Sequence, residues 1–178
     1  MAIDLFRLPF SSSRFEVTSY YGARSLGNHW GIDLRASTGT AIYSVKSGYV
    51  KVAVTNGITF PPSQKSESNS QFKNAGYGNY VVIEHTGGFC TLYAHLSQVA
   101  VTVGQQVSAA TVIGAAGDSG HSYGAHLHFE TIDATYEAAF KNSNYNKRVT
   151  TYNRDPLPYL QKTANELSNG ASSANNKI

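Results

Sequence analysis

Two predicted β-strands flank a glycine pair in the stretch Tyr80-Val81-Val82-Ile83-Glu84-His85-Thr86-Gly87-Gly88-Phe89-Cys90-Thr91-Leu92-Tyr93-Ala94-His95. Both halves are rich in β-branched and aromatic residues, and Gly87-Gly88 is a strong signal for a short hairpin. Three shorter segments of the same character follow at 98–103, 106–107 and 111–113. Because close turn signals separate these strands, they are expected to pair antiparallel. The sequence therefore predicts a mainly β fold, built as a single antiparallel β-sheet or sandwich domain.

The chain upstream of this hairpin carries a second β-like region. The segment Ala41–Val54 alternates and is rich in Val, Ile and Tyr, but Gly48 interrupts it. A glycine in such a pattern predicts a hairpin or a bulge. Residues 1–28 are predicted to be irregular, apart from a short strand-like run at Phe15–Ser19.

One long polar loop is predicted at Thr55–Asn79, where the β pattern stops. It contains Pro61-Pro62 and has no hydrophobic periodicity. A connection of this length in a compact domain is usually functional or disordered, so we expect an exposed loop that borders a cleft. Further along, we predict a helical turn at Ala134–Phe140 and a short C-terminal helix at Leu157–Leu167.

The composition fits one globular domain and excludes some classes of partner. The chain has 178 residues, of which 41% are hydrophobic and 14% charged, and no internal repeat or second domain is found. The net charge of +3 comes without a Lys/Arg block, so we expect no nucleic-acid partner. No apolar run approaches the ~20 residues of a membrane span. Residues 1–10 lack the pattern of a signal peptide.

The single cysteine, Cys90, is predicted to be a small buried hydrophobic residue and not a metal ligand. It lies five positions before His95 on a predicted strand, and an odd offset places two side chains on opposite faces. With one cysteine, no intramolecular disulfide can form.

Histidines dominate the candidate functional residues. In Ala125-His126-Leu127-His128-Phe129-Glu130, the two imidazoles should project from one face of a strand. His29 and Asp33 lie four residues apart upstream, and His95 ends the hairpin. A catalytic zinc takes three protein ligands and keeps one position open, so this set exceeds what the metal needs. Surplus imidazoles would serve in proton transfer, which indicates a zinc hydrolase; spacing does not decide which residues bind the metal.

Other residues near these motifs carry weaker expectations. We interpret His85, at a strand end beside a glycine turn, as structural. His121 lies in a loop, where it either lines the substrate site or is simply exposed. Glu130 shares the face of the two histidines and either accepts a hydrogen bond from a ligand imidazole or faces solvent. Tyr93 and Tyr123 either contact substrate or serve in aromatic packing, and we favour packing.

The order of three motifs resembles the lysostaphin/LytM-type zinc endopeptidases. They are Asn28-His29-Trp30-Gly31-Ile32-Asp33-Leu34, then Leu92-Tyr93-Ala94-His95-Leu96, then Gly120-His121-Ser122-Tyr123-Gly124-Ala125-His126-Leu127-His128-Phe129-Glu130. The resemblance extends over roughly 15–160. It implies an antiparallel β fold with a narrow substrate groove, in a metalloendopeptidase domain at 1–160 followed by the helix end and a flexible tail at 161–178.

The resemblance also implies a function and a set of roles. His29, Asp33 and His128 would bind Zn²⁺, and His95 and His126 would be the catalytic pair. A zinc-activated water would hydrolyse peptide bonds in bacterial peptidoglycan, in a stem peptide or a cross-bridge. The protein would then act on cell walls outside the cell, as a secreted or phage virion-associated lysin.

Two alternatives come from other classes. The first is a non-catalytic wall-binding or phage-tail module in which the same residues hold a structural metal. The second is a non-haem Fe(II) oxygenase with two histidines and one carboxylate as ligands. A closed structural site would use a fourth protein ligand, and the oxygenase chemistry does not need two extra imidazoles, so we favour the peptidase over both. The presence of all five residues argues against the metal-free relatives that only regulate other hydrolases.

Overall fold

A computed structural model describes residues 7–25, 27–55 and 75–161. The strands are β1 (Val17–Ser19), β2 (Gly22–Arg24), β3 (Gly27–His29), β4 (Ile32–Arg35), β5 (Ala41–Tyr43), β6 (Gly48–Val54), β7 (Asn79–His85), β8 (Phe89–Val99), β9 (Gln106–Val107), β10 (Val112–Ala116), β11 (His126–Ile132) and β12 (Asn153–Arg154). A 3₁₀ turn at Ala75–Tyr77, a π-helix at Glu137–Lys141 and the α-helix α1 (Tyr145–Thr151) lie in the same ranges, and residues 157–161 are also helical.

A single large sheet organises the domain. Its main path runs in the order β1-β4-β11-β8-β7-β6-β9, while β10 joins β8 to β5 and β12 pairs with β11. Strands β2 and β3 form a separate two-stranded sheet. Every pairing among these strands is antiparallel, which confirms the predicted mainly β fold and the hairpin of β7 and β8.

The central strands are covered on both faces. On β8, Cys90, Leu92 and Ala94 belong to one hydrophobic cluster, whereas Tyr93 belongs to the other, with Phe129 of β11. Because neighbouring residues of a strand point to opposite faces, the two clusters lie on opposite sides of the sheet. His128 and Glu130 of β11 pair with Ala94 and Leu92, so they share the face of the smaller, Cys90-containing cluster.

Two expectations for the N-terminal half need correction. No hairpin forms at Gly48, because β5 pairs with β10 whereas β6 pairs with β7 and β9. The alternative expectation of a bulge fits better, since the register of β6 shifts between Val50 and Val52. Residues 1–28 are less irregular than predicted, because β2 and most of the strand it pairs with, β3, fall within them. The strand-like run at 15–19 appears as β1.

The C-terminal part of the fold contains elements that sequence patterns did not indicate. The helical turn predicted at Ala134–Phe140 is confirmed by the π-helix, but α1 and β12 were not predicted. Residues 157–161 are helical, and the rest of the predicted helix lies outside the described residues. Most of the predicted long loop, at 56–74, and the predicted tail beyond 161 also lie outside them. Within the described ranges, no helix is long and apolar enough to cross a membrane.

Candidate metal centre

Three strands converge to place two imidazoles and a carboxylate together. The antiparallel register of β4 and β11 sets Asp33 opposite His128. His29, at the end of β3, reaches the same point through the short connection to β4. The distances are 3.1 Å from His29 Nε2 to His128 Nδ1, 3.2 Å from His29 Nε2 to Asp33 Oδ1, and 3.0 Å from His128 Nδ1 to Asp33 Oδ1. The three residues predicted as ligands are therefore brought together.

The donor set fits a catalytic zinc ion. Four ligand atoms ~2.0–2.1 Å from a tetrahedral zinc lie ~3.3 Å apart, close to the three edges measured here. Among the described residues, the group suited to hold a metal ion consists of His29, Asp33 and His128. A group of three, and not four, is what a zinc site with an open position requires.

Hydrogen bonds on the far side of each imidazole fix which nitrogen faces the metal position. His29 Nδ1 lies 2.9 Å from the carbonyl oxygen of Tyr20, which can only accept, so Nδ1 carries the hydrogen. The lone pair of His29 is then on Nε2. His128 Nε2 donates in the same way to Glu130 Oε1 at 3.1 Å, which leaves Nδ1 for a metal. Such partners set ring orientation and tautomer in metal sites.

The charges in this group are strongly coupled. Burial opposes ionisation of Asp33, but the surrounding imidazoles of His126, His128 and His29 outweigh burial and hold the pKa of the carboxyl well below its usual range. Burial also opposes protonation of His128, yet its hydrogen bonds to Asp33 and Glu130 raise the pKa of this imidazole to about 9. Without metal, a proton on His128 compensates the two carboxylates; a metal ion at this position would take over that role.

A distortion of β8 directs His95 toward this centre. Between the pairs Val81↔Tyr93 and Asn79↔Leu96, β8 uses one residue more than β7, so the strand bulges. Within the bulge, His95 has a φ of 61°, and no other described residue except glycine has a positive φ. Its ring centroid consequently lies 5.8 Å from that of His128.

This bulge overturns the argument used for the faces of Cys90 and His95. The odd offset placed them on opposite faces, but the extra residue turns His95 to the face that carries Cys90, Ala94 and His128. The conclusion drawn for Cys90 holds, because the thiol is buried and free. Burial raises the pKa of this thiol to about 12, which suppresses thiolate formation.

His95 and His126 form a second pair beside the three candidate ligands, with ring centroids 4.7 Å apart. Each ring is within 2.8 Å of a backbone carbonyl through Nδ1, His95 on Ser119 and His126 on Gly124. These contacts turn the Nε2 atom of each ring away from its carbonyl partner, and that of His126 lies 3.5 Å from Asp33 Oδ1. Burial, followed by the charges of His128 and His126, lowers the pKa of His95 to about 3, so His95 is a neutral imidazole.

Glu130 lies at the centre of a buried hydrogen-bond network that joins the candidate ligands to the C-terminal elements. Its side chain is 1% exposed and accepts four hydrogen bonds. The donors are His128 Nε2 at 3.1 Å, Arg148 Nη1 at 2.8 Å, Asn153 Nδ2 at 2.7 Å and the hydroxyl of Tyr77. Of the two roles left open for Glu130, the structure supports the partner of a ligand imidazole. Arg148, Asn153 and Tyr77 were not found from sequence, since nothing in their spacing distinguishes them from surface residues.

Of the remaining candidate residues, two are buried and structural and one lies at the surface. His85 is structural as predicted, because it is buried and hydrogen bonded to Ser47 O at 3.0 Å and to Thr91 Oγ1 at 2.7 Å. Tyr93 packs against Phe129 in the core, also as predicted. Tyr123 is 72% exposed, and its aromatic packing is a T-shaped contact with the ring of His121 at the surface.

An antiparallel β domain that gathers a His–Asp–His group and two further imidazoles has the architecture of a metallopeptidase. The sequence profile of peptidase family M23 matches residues 27–141. The chain therefore belongs to peptidase family M23, whose metallopeptidases are zinc enzymes. All five predicted site residues lie inside the matched range, whereas Arg148 and Asn153 lie outside it.

Individual relatives agree with this assignment. The chain is 33% identical over 151 residues to glycyl-glycine endopeptidase ALE-1 of Staphylococcus capitis, covering 84% of this chain and 33% of ALE-1. It is 32% identical over 128 residues to peptidoglycan DD-endopeptidase ShyA of Vibrio cholerae, covering 67% of this chain and 25% of ShyA. The chain thus spans a quarter to a third of the length of these relatives.

Solved structures share the fold. The catalytic domain of the antimicrobial peptidase lysostaphin from Staphylococcus simulans superposes with a TM-score of 0.61 at 28% sequence identity. The superposition covers 83% of this chain and 92% of that domain. The likeness therefore extends over nearly all of a peptidase catalytic domain, which confirms the predicted fold class.

Proposed function

We propose that this protein is a zinc-dependent endopeptidase that hydrolyses peptide bonds in bacterial peptidoglycan. The observation that carries the proposal is the triangle of His29 Nε2, Asp33 Oδ1 and His128 Nδ1, with edges of 3.0–3.2 Å. These atoms would hold Zn²⁺. When bound, zinc supplies the Lewis acidity that lowers the pKa of water and polarises a scissile carbonyl.

The two remaining histidines would move protons. His95 is suited to accept a proton at Nε2, because its ring is neutral and Ser119 O fixes its orientation through Nδ1. His126 is held by Gly124 O in the same manner, with its Nε2 on the side of Asp33. It would stabilise charge on the carbonyl oxygen or carry a proton to the leaving amine.

The proposed substrate is a peptidoglycan peptide, and the proposed place of action is the cell wall, outside the cell. The names of ALE-1 and ShyA support this choice, since the first is a glycyl-glycine endopeptidase and the second a peptidoglycan DD-endopeptidase. Those names describe two different bonds, so we propose the substrate class and leave its cross-bridge to experiment. We propose no nucleic-acid partner, because the net charge of +3 is not gathered in a basic block.

Variants that separate metal binding from chemistry test the proposal. The purified protein should contain about one zinc per chain, and Asp33→Ala should lose it. His95→Ala and His126→Ala should retain zinc but lose ~10²–10⁴-fold in activity, the usual contribution of a positioned acid or base. Metal content would be measured by mass spectrometry, and activity on purified walls by the new amino termini released.

The control is His85→Gln, with its folded fraction checked by circular dichroism, because His85 is buried away from the candidate ligands. It should keep zinc and most of the activity. Walls with glycine cross-bridges and walls with direct cross-links would be compared, since the new termini identify the bond. A zinc-loaded protein that releases no termini from any wall would instead support the non-catalytic wall-binding module.

A further inference from the structure

Glu130, a buried carboxylate next to the candidate ligand His128, accepts hydrogen bonds on both of its oxygens. Glu130 Oε1 accepts from His128 Nε2 and from the Tyr77 hydroxyl, whereas Oε2 accepts from Arg148 and Asn153. Both oxygens are thereby fixed, so the carboxylate cannot rotate without breaking hydrogen bonds in a buried setting. Hydrogen bonds to a charged group are stronger than those between neutral groups.

Arg148 is itself locked in place. Its side chain is 4% exposed, and its guanidinium lies 4.9 Å from the ring centroid of Phe140 and 5.4 Å from that of Tyr145. Its second nitrogen, Nη2, donates to the Tyr77 hydroxyl at 2.6 Å. Arg148, Tyr77 and Glu130 therefore form a closed ring of hydrogen bonds that leaves Glu130 Oε1 directed at His128.

Two of the residues that hold Glu130 come from outside the region that defines the family. Arg148 lies on α1 and Asn153 on β12, beyond residue 141 where the family match ends. Asn153 Nδ2 also donates to the carbonyl oxygen of Trp30 at 2.8 Å, next to the candidate ligand His29. The C-terminal segment thus contacts Glu130, the hydrogen-bond partner of His128, and the backbone next to His29, without contributing a ligand.

We propose that Arg148, supported by Asn153 and Tyr77, is a positioning residue for the metal. It holds Glu130 so that His128 keeps its hydrogen on Nε2 and directs the Nδ1 lone pair at the ion. This inference rests on the proposed zinc site and adds to it a function for α1 and β12. Loss of such a partner behind a metal ligand typically costs 10–100-fold in metal affinity.

A double-mutant cycle tests whether Arg148 acts through Glu130. The variants are Glu130→Gln, Arg148→Met and the double variant, and the readout is the zinc Kd from competition with a chromophoric chelator. We expect each single variant to weaken zinc binding by ~10–100-fold. In the Glu130→Gln background, Arg148→Met should weaken it by little more, because the carboxylate it holds is already gone.

Two matched controls remove charges of the same kind elsewhere. Arg154→Met deletes an exposed arginine of β12 whose ion-pair partner is Asp133. Glu84→Gln deletes a partly exposed carboxylate of β7 whose ion-pair partner is Lys51. Neither should change the zinc Kd by more than about twofold, because exposed ion pairs contribute little and neither pair includes a candidate ligand.

The stability of the metal-free protein distinguishes a positioning role of Arg148 from a general contribution of Arg148 to the stability of the fold. If Arg148→Met lowers the melting temperature of the metal-free protein but leaves the zinc Kd unchanged, the proposal is overturned. The same holds if its effect on zinc binding persists in full in the Glu130→Gln background. If Arg148→Met does not fold, Arg148→Lys tests the proposal instead. This variant keeps the positive charge but cannot donate to Glu130 and Tyr77 at the same time in the geometry of a guanidinium.

The ring nitrogen signals of His128 give a readout independent of activity. In the zinc-loaded wild type, ¹⁵N NMR should show a hydrogen on Nε2 protected from exchange, and Arg148→Lys should lose that protection. An unchanged signal in Arg148→Lys overturns the proposal. A wild type that binds no zinc, or that binds zinc and cleaves no wall, would instead count against the proposed function.

Discussion

His95 adopts a left-handed backbone conformation within a β-strand, with a φ of 61°. For a residue with a Cβ atom this conformation costs roughly 1–2 kcal/mol, and it persists where surrounding structure enforces it. Here the hydrogen bond from Nδ1 to Ser119 O, 2.8 Å long, ties the side chain down on the candidate site. The strained backbone conformation of His95 thus directs its imidazole at the candidate site.

At the residue scale, we expect this strain to reverse the usual order of stability of glycine and alanine in a strand. Glycine in a strand is normally less stable than alanine by about 0.5–1 kcal/mol. At His95 we expect His95→Gly to be more stable than His95→Ala by ~1 kcal/mol, because only alanine retains a Cβ in the left-handed region. Denaturant unfolding of both variants would measure the difference.

The neighbouring Ala94 provides the control, since it lies on the same strand and has no positive φ. Ala94→Gly should follow the normal order and destabilise the protein. If His95→Gly proved less stable than His95→Ala by a similar amount, the left-handed conformation of His95 would not hold in solution.

At the scale of elements, hairpin and strand patterns were predictable because they depend on neighbours in sequence. The turn at Gly87-Gly88 sets the register of β7 and β8, and the spacing of His126 and His128 places both on one face of β11. The side of the sheet occupied by His95 was not predictable, because a bulge depends on the register with another strand. Arg148 was missed for a related reason: its buried partner, Glu130, lies 18 residues away on a different element.

The pairing of β4 with β11 depends on a glycine between two candidate ligands. A Cβ built on Gly31 would lie 2.5 Å from Phe129 O and 2.9 Å from both Cε1 and Nε2 of His128. We predict that Gly31→Ala forces the two strands apart or displaces the His128 ring. Overpacking of this kind costs about 1–3 kcal/mol, so both the free energy of unfolding and the zinc affinity should fall.

Gly76→Ala is the comparison for this variant, because a Cβ at Gly76 meets no heavy atom within 4 Å and its φ is not positive. It should unfold and bind zinc like the wild type in the same chemical denaturation and chelator competition assays. Equal stability and zinc affinity in the two variants would show that β4 and β11 tolerate a side chain at Gly31.

At the scale of the whole molecule, the hydrophobic clusters on the two faces of the sheet do not depend on the metal site. Fully buried residues such as Ile83 and Phe129 lie in one cluster, and Val82 and Leu92 lie in the other. The candidate ligands also retain partners without metal, since His128 Nδ1 and Asp33 Oδ1 are 3.0 Å apart. The fold therefore has enough internal support to exist in a metal-free form.

We predict that removing the metal with EDTA leaves the β-rich circular dichroism spectrum unchanged and lowers the melting temperature. The loss should be reversible and should depend on free zinc, because a ligand at 100 times its Kd stabilises by about 2.7 kcal/mol. Thermal melts over a series of zinc concentrations would measure it. Unfolding on chelation at room temperature, as in small zinc-dependent domains, would contradict the prediction.

The contact between Glu130 and Arg148 has a consequence for where this domain can be cut. A chimera or shortened enzyme that stops at residue 141, where the family match ends, would leave the Glu130 carboxylate buried without its guanidinium. Removing one member of a buried ion pair typically costs about 3–5 kcal/mol, a large part of the stability of a single domain. The smallest transplantable unit of this enzyme therefore extends through Asn153, and exchanges with related enzymes should carry residues 142–154 along with the β-sheet.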